Sequence, residues 1–91
     1  MRLKKKMRLE KTGSMEFVVW GWDKVKEKLN DDIKAIEVLK QFVTEKLGGK
    51  LIVGECNDDE AFHVLVDGVV LHVCFVDPVE VRIFPESEIV G

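Results

Sequence analysis

The sequence has few cysteines and no long apolar run, and these absences exclude several classes of protein. Two cysteines in 91 residues are too few for a small secreted fold held together by several disulfides. No stretch approaches the ~18 apolar residues of a membrane-spanning helix, and no apolar segment of signal-peptide length follows the basic N-terminus. We therefore expect a cytoplasmic protein that does not cross a membrane.

Recognisable catalytic motifs are also missing. No glycine-rich phosphate loop follows a strand pattern, no H-E-x-x-H occurs, and no Ser/His/Asp arrangement can be placed. The paired C-x-x-C spacing of common zinc sites is absent as well. We therefore expect no enzyme, no catalytic residues and no cofactor.

Charge is distributed unevenly along the chain. Residues 1–14 hold six basic residues and one acidic residue, a net charge of +5, which leaves −8 for residues 15–91 out of the total of −3. We predict a disordered basic arm over 1–14 and a single domain over 15–91. An alternative is that the arm consists of non-native residues that end in Gly13–Ser14. Only this arm would suit nucleic acid, because an acidic domain repels a phosphate backbone.

The first half of the domain has a strand pattern followed by a helical one. Residues 15–20 contain a run of β-branched and aromatic residues, which indicates a strand. Apolar residues then recur every three or four positions over 25–47, with Asp23 placed to cap the helix N-terminus. The Asn-Asp-Asp run at 30–32 predicts either one long helix or two consecutive helices, and the glycine pair at 48–49 ends it.

The second half alternates with a period of two, which is typical of strands. The predicted strands are 50–56, 61–66, 69–76 and 79–84, whereas 85–91 could be a short strand or a tail. Asp67–Gly68 predicts a two-residue hairpin turn. Short links favour antiparallel pairing, so we predict a single α+β domain, β-α(α)-β-β-β-β. In it, an antiparallel meander sheet has the helix or helices on one face.

This element order is similar to that of cystatin-like folds. The similarity concerns architecture alone, because none of the binding motifs of those folds occurs in the sequence. It implies a sheet wrapped around a helix and nothing about activity.

The turns also predict which residues face each other across the sheet. Placing turns at Asp58–Asp59 and Asp67–Gly68 sets His63 opposite His72, with Gly54 opposite His63 and Ala61 opposite Cys74. Because strand side chains alternate, one sheet face is apolar throughout and should take the helix. The predicted interface on the second face comprises Ile52, His63, Leu65, Val70, His72, Cys74 and Val76.

Two weak metal sites can be proposed from this stretch. His63, His72 and Cys74 share the second face and could form a three-ligand zinc site. Asp58, Asp59 and Glu60 at the hairpin tip offer oxygen ligands for Ca²⁺ or Mg²⁺, although Asp and Asn residues also form ordinary turns.

The apolar second face supports the main functional expectation. We expect a small binding or regulatory module that acts through protein–protein contacts and forms a homodimer through this face. One alternative is an acidic inhibitor or nucleic-acid mimic that docks a basic partner. A second alternative is a weak divalent-cation binder at the acidic hairpin tip.

Overall fold

The structure, a computed structural model, describes residues 6–52, 60–76 and 80–85. Within these ranges the chain forms six strands and two helices. In chain order they are β1 (Arg8–Gly13), β2 (Glu16–Trp20), α1 (Trp22–Leu29), α2 (Asp32–Leu47), β3 (Lys50–Ile52), β4 (Glu60–Val66), β5 (Val69–Phe75) and β6 (Val81–Pro85).

All six strands form one sheet in the order β1-β2-β6-β5-β4-β3, and every neighbouring pair is antiparallel. Strands β3 to β6 follow one another as a meander. Strand β2 pairs with the edge of β6 that β5 leaves unoccupied, and there Phe17 lies opposite Ile83. The predicted fold class is confirmed: a single α+β domain whose antiparallel meander sheet carries two consecutive helices on one face.

The prediction of a disordered arm over residues 1–14 is wrong for the part that forms β1. This strand pairs with β2, with Arg8 opposite Trp20 and Lys11 opposite Phe17, and the preceding Met7 is buried in the core. The strand is hard to recognise because it lies at the sheet edge, where charged residues are tolerated and protect against aggregation. Residues 1–5 lie outside the described ranges.

The helices begin and end at residues whose chemistry explains their boundaries. Helix α1 starts at Trp22, with Gly21 in the N-cap position where the prediction had Asp23. Gly21 has a φ of 89°, and a Cβ there would overlap the backbone carbonyl of Lys6, so only glycine fits this position. Asn30 ends α1 in the left-handed conformation. Asp31 then caps α2 by accepting a hydrogen bond from the Lys34 amide over 3.1 Å. The predicted break into two helices is therefore present.

Helix α2 ends at Gly48, as the glycine pair predicts, with the Gly48 amide donating to the Thr44 carbonyl. Neither of the helices in the described ranges is long and apolar enough to cross a membrane.

The core lies between the helices and one sheet face. Its largest fully buried side chains are Phe42, Leu39, Leu71, Ile83, Val19, Val25, Val43, Val64, Val73 and Val81. Burying each such side chain is worth roughly 1.5–3 kcal/mol before the loss of conformational entropy is subtracted. Trp22 joins this layer and stacks on Phe75, with ring centroids 5.9 Å apart.

Two details of the hairpin register differ from the prediction. Ile52, not Gly54, faces His63, so the β3–β4 pairing is displaced by two residues. A two-residue displacement leaves every side chain on its predicted face, because the strand period is two. Glu60, not Ala61, faces Cys74, because the register shifts between Glu60 and Phe62 and leaves Ala61 as an extra residue.

Candidate functional site

The sheet face opposite the helices is the largest candidate surface, and we call it the open face. Residues directly opposite each other on paired strands share a face, so the pairings define its membership. The open face comprises Arg8, Glu10, Val18, Trp20, Lys50, Ile52, His63, Leu65, Val70, His72, Cys74, Arg82 and Phe84. None of the described helices covers it.

Apolar side chains on the open face remain accessible. Leu65 exposes 37% of its surface and Trp20 also exposes 37%, while Ile52, Val70 and Phe84 are half-buried. Leu65 lies opposite Val70 and diagonally from Ile52, whereas Trp20 lies on β2, with β6 and β5 between it and β4. The accessible apolar residues near Leu65 are therefore one patch, and Trp20 is separate from it.

The structure places the predicted interface residues as follows. Six of them lie on strands of the open face, and His63 faces His72 as predicted. His72 and Cys74 are buried, at 7% and 8% exposed, because neighbouring strands flank them on both sides. Val76 follows the end of β5, is 52% exposed, and donates its amide to the Glu80 carbonyl over 3.1 Å. It therefore lies at the margin of the face.

Three apolar residues of the open face were missed by the sequence reasoning. Phe84 lies beside His72, Val18 lies opposite Arg82, and Trp20 lies opposite Arg8. Phe84 had a usable signal, since it follows Ile83 and breaks the alternation of the "VEVRIF" stretch. Two consecutive apolar residues in a strand indicate that both faces of the strand are apolar.

The two imidazoles form a close cross-strand pair on this face. The ring centroids of His63 and His72 are 4.1 Å apart, and the ring planes are inclined by 59°. His63 is half-buried and His72 is buried. The chain contains no other histidine.

Of the two proposed metal sites, the structure describes all the residues of the histidine–cysteine site but not all of those of the acidic hairpin tip. Among the described residues, no group of three or more His, Cys, Asp or Glu side chains is arranged to hold a metal ion. The triad of His63, His72 and Cys74 therefore does not form a three-ligand site within one chain. Asp58 and Asp59 of the acidic tip lie outside the described residues, and of Glu60 only its place in β4 is described.

The two N-terminal strands and β6 carry the charged part of the open face. Trp20 donates its indole N–H to Glu10 over 2.9 Å, and Arg82 pairs with Glu80 over 3.1 Å. With Arg8 beside them, charges of both signs border the apolar part. In protein interfaces generally, charges at the rim set the orientation of a bound partner more than its affinity.

A second candidate is a surface depression of about 330 Å³ beside α1, lined by Lys6, Lys24, Glu27 and Lys28. All four residues are exposed, so solvent and salt screen their charges. The depression is therefore the weaker candidate, and we place the candidate site on the open face.

Comparison with protein-family models, with curated proteins and with solved structures finds no match to the chain.

Proposed function

We propose that the protein is a small cytosolic binding module that forms a homodimer by packing the open face of one copy against that of another. The observation that carries the proposal is the set of accessible apolar side chains, Leu65 among them, on a face that the described helices leave uncovered. Face-to-face packing of two sheets is a common solution to this arrangement, with inner side chains interdigitating over ~10 Å.

The size of the face is compatible with a second copy as the occupant. The six strands together hold 33 residues; at ~3.3 Å per residue and ~4.8 Å between strands, the face spans roughly 520 Å². Two such faces would bury roughly 1,000 Å², somewhat below the ~1,200 Å² at which specific interfaces begin. We therefore expect a dimer of modest affinity, whose population depends on protein concentration.

The described charged side chains on the face are mostly basic: Arg8, Lys50 and Arg82 are set against Glu10. In a dimer with a two-fold axis, Glu10 of each copy can meet a basic residue of the other. Support for self-association therefore rests on the apolar residues and not on charge. The alternative of an acidic mimic keeps its charge basis, because β1 adds Arg8, Glu10 and Lys11, a net charge of only +1, to the −8 of residues 15–91.

Sedimentation velocity over a range of concentrations tests this proposal. The parent protein should approach twice its chain mass of 10.4 kDa as concentration rises. Leu65→Glu should stay monomeric, because a carboxylate buried in the interface is costly. Ile33→Glu is the matched control: Ile33 is 76% exposed on α2, so the same change in charge should leave the dimer intact.

A parent protein that is monomeric at every concentration overturns the proposal. So does a dimer that Ile33→Glu weakens as much as Leu65→Glu, because that result would place the interface on the helical layer or reflect net charge alone.

A further inference from the structure

The positive charge of the chain is concentrated in its first third. Residues 1–30 hold nine basic and four acidic residues, a net charge of +5, whereas 31–91 hold five basic and thirteen acidic residues, a net charge of −8. In the structure β1 and β2 lie at one edge of the sheet and α1 follows β2 directly, while α2 packs over β3 and β4. The first third therefore forms a basic side of the molecule.

The segment that precedes β1 packs against the start of α1. Met7 is buried in the core. The backbone carbonyl of Lys6 lies so close to Gly21 that a Cβ on Gly21 would overlap it. Because Gly21 is the residue before α1, this close approach holds the Lys6 backbone beside the first turn of that helix.

Three lysines share the depression beside α1. Lys6, Lys24 and Lys28 line it together with Glu27, and its volume is about 330 Å³. Lys24 and Lys28 are four positions apart on the helix, so their side chains lie on the same face of it. Within the described part of the chain, none of the three lysines forms an ion pair. The net charge of +2 is therefore available to an anionic partner.

An exposed aromatic ring lies next to this basic surface. Trp20 immediately precedes Gly21, is 37% exposed and lies opposite Arg8 on the neighbouring strand. Its indole N–H donates to Glu10, which restricts rotation of the ring. Strands β6 and β5 separate Trp20 from the apolar patch near Leu65, so that patch does not account for its exposure.

Clustered lysines beside an exposed indole favour a single strand of nucleic acid over other polyanions. Such strands bind in basic grooves that follow the phosphate backbone, with bases stacked on aromatic side chains. A membrane fits less well, because the surface is concave and the apolar residues Trp22 and Val25 of α1 are buried. In a duplex the bases stack on one another, and an acidic peptide has no bases, so neither gives Trp20 a role.

We propose that this basic side of the molecule binds single-stranded nucleic acid, with phosphates contacting Lys6, Lys24 and Lys28 and a base stacked on Trp20. Arg8, opposite Trp20 in the sheet, adds positive charge beside the ring. The contacts are to phosphates and to the face of a base, so we expect little dependence on nucleotide sequence.

Two features of the sequence direct a strand to this surface. The three basic residues within 2–5 precede Lys6 directly, and the chain length keeps their Cα atoms within about 14 Å of its Cα. They therefore add to the positive potential there. The net charge of −8 over 31–91 repels phosphates from the rest of the molecule.

Fluorescence anisotropy tests the proposal, with a labelled oligothymidine of ~12 nucleotides, within the ~4–16 nucleotides of typical single-strand sites. We expect saturable binding that weakens between about 50 and 200 mM KCl, with a log–log slope of about −2 or steeper for three or more phosphate contacts. The double variant Lys24→Glu, Lys28→Glu should lose affinity roughly tenfold or more. Lys34→Glu, Lys46→Glu is the matched control, because it makes the same change in net charge at exposed positions of α2.

Variants of Trp20 test the stacking contact separately from charge. Trp20→Ala should weaken binding roughly 5- to 100-fold, the range for losing one base–aromatic stack. Trp20→Phe keeps a ring and should retain most of the affinity. Melting curves show whether each variant is folded. Equal binding by Trp20→Ala and the parent overturns the assignment of a base to Trp20.

The outcomes are independent of the homodimer. Leu65→Glu should bind at least as tightly as the parent, because a monomer leaves Trp20 accessible. Absence of saturable binding at about 50 mM KCl overturns this proposal and leaves the dimer standing. Equal losses in the two double variants would mean that net charge alone decides, and would also overturn it. So would displacement of the probe by duplex DNA, phosphatidylserine vesicles or polyglutamate as effectively as by unlabelled oligothymidine.

Discussion

The indole Nε1 of Trp20 donates a hydrogen bond to Oε1 of Glu10 over 2.9 Å, which joins β2 to β1 on the open face. The two residues are ten positions apart in the chain. Trp20 lies opposite Arg8, two residues before Glu10, so Trp20 and Glu10 are diagonal neighbours on one face of the β1–β2 pair. This contact shows how a strand rich in charged residues can pack on the domain. Glu10 bonds to a side chain on the neighbouring strand, while the apolar Leu9 packs against the core.

Shortening Met7 tests whether β1 contributes to stability. Met7 is 5% exposed in the core, so Met7→Ala should lower the free energy of unfolding by about 2–4 kcal/mol. In a domain of this size each kcal/mol lowers the melting temperature by roughly 4–8 °C. Lys11→Ala is the control in the same segment, since Lys11 is exposed and its loss should change stability by less than ~0.5 kcal/mol. Equal melting temperatures for Met7→Ala and the parent would mean that this segment does not pack on the domain.

The helix junction gives a second prediction. The Asp31 side chain accepts the Lys34 amide at the start of α2, so Asp31→Ala should cost about 1 kcal/mol in unfolding free energy. Asp32→Ala removes the same charge from the adjacent first-turn position without removing the cap, and should cost less. Urea unfolding of both variants measures the difference. Two indistinguishable midpoints would indicate that the dipole interaction, and not the cap, matters here.

The two glycines after α2 should respond differently to alanine. A Cβ at Gly49 would lie 2.6 Å from the Leu65 carbonyl oxygen and 2.6 Å from a Val66 methyl carbon, so Gly49→Ala must move a backbone segment. A Cβ at Gly48 meets nothing within 4 Å, and its cost is limited to the left-handed φ of 65°. We expect about 1 kcal/mol of destabilisation for Gly48→Ala and a larger loss for Gly49→Ala. Thermal melts decide the order, and a Gly49→Ala as stable as Gly48→Ala would contradict the close approach of β3 to β4.

The open face gives a prediction about surface chemistry. Val70 and Leu65 face each other at the end of the β4–β5 hairpin, and both remain accessible. Val70→Lys should therefore reduce dimer affinity by more than tenfold while leaving the melting temperature of the monomer nearly unchanged. Leu51→Lys is the control, since Leu51 is 44% exposed but has the opposite orientation on β3. Equal effects of the two substitutions on the sedimentation coefficient would contradict the open face as the interface.

Much of the fold could be predicted because its turns carry distinctive chemistry. Asn30, Gly48, Asp67 and Gly68 each have a positive φ that few other residues tolerate, and Asp31 caps α2 through its side chain, so these positions in the sequence mark the element boundaries. Periodicity then assigned each side chain to a face, and an error of two residues in the β3–β4 pairing left those assignments intact.

The features that were missed depend on contacts between distant parts of the chain. The charged sequence of β1 becomes a strand only because β2 offers it an edge. Phe84 joins the open face only because β6 pairs with β5, and the extra residue at Ala61 follows from the detailed packing of the hairpin. Such tertiary effects override local propensity, particularly at sheet edges and bulges.

The pairing of β2 with β6 has a consequence for how the chain folds. Phe17 and Ile83 are neighbours in the sheet but 66 positions apart in sequence, so their contact closes a large loop. A contact that closes so long a loop forms late in folding, because the chain loses conformational entropy before the stabilising contacts are made. During synthesis, β1 and β2 must wait until β6 has left the ribosome before they can join the sheet. Until then the apolar side of the β1–β2 hairpin remains exposed, where it can bind chaperones or aggregate with other chains.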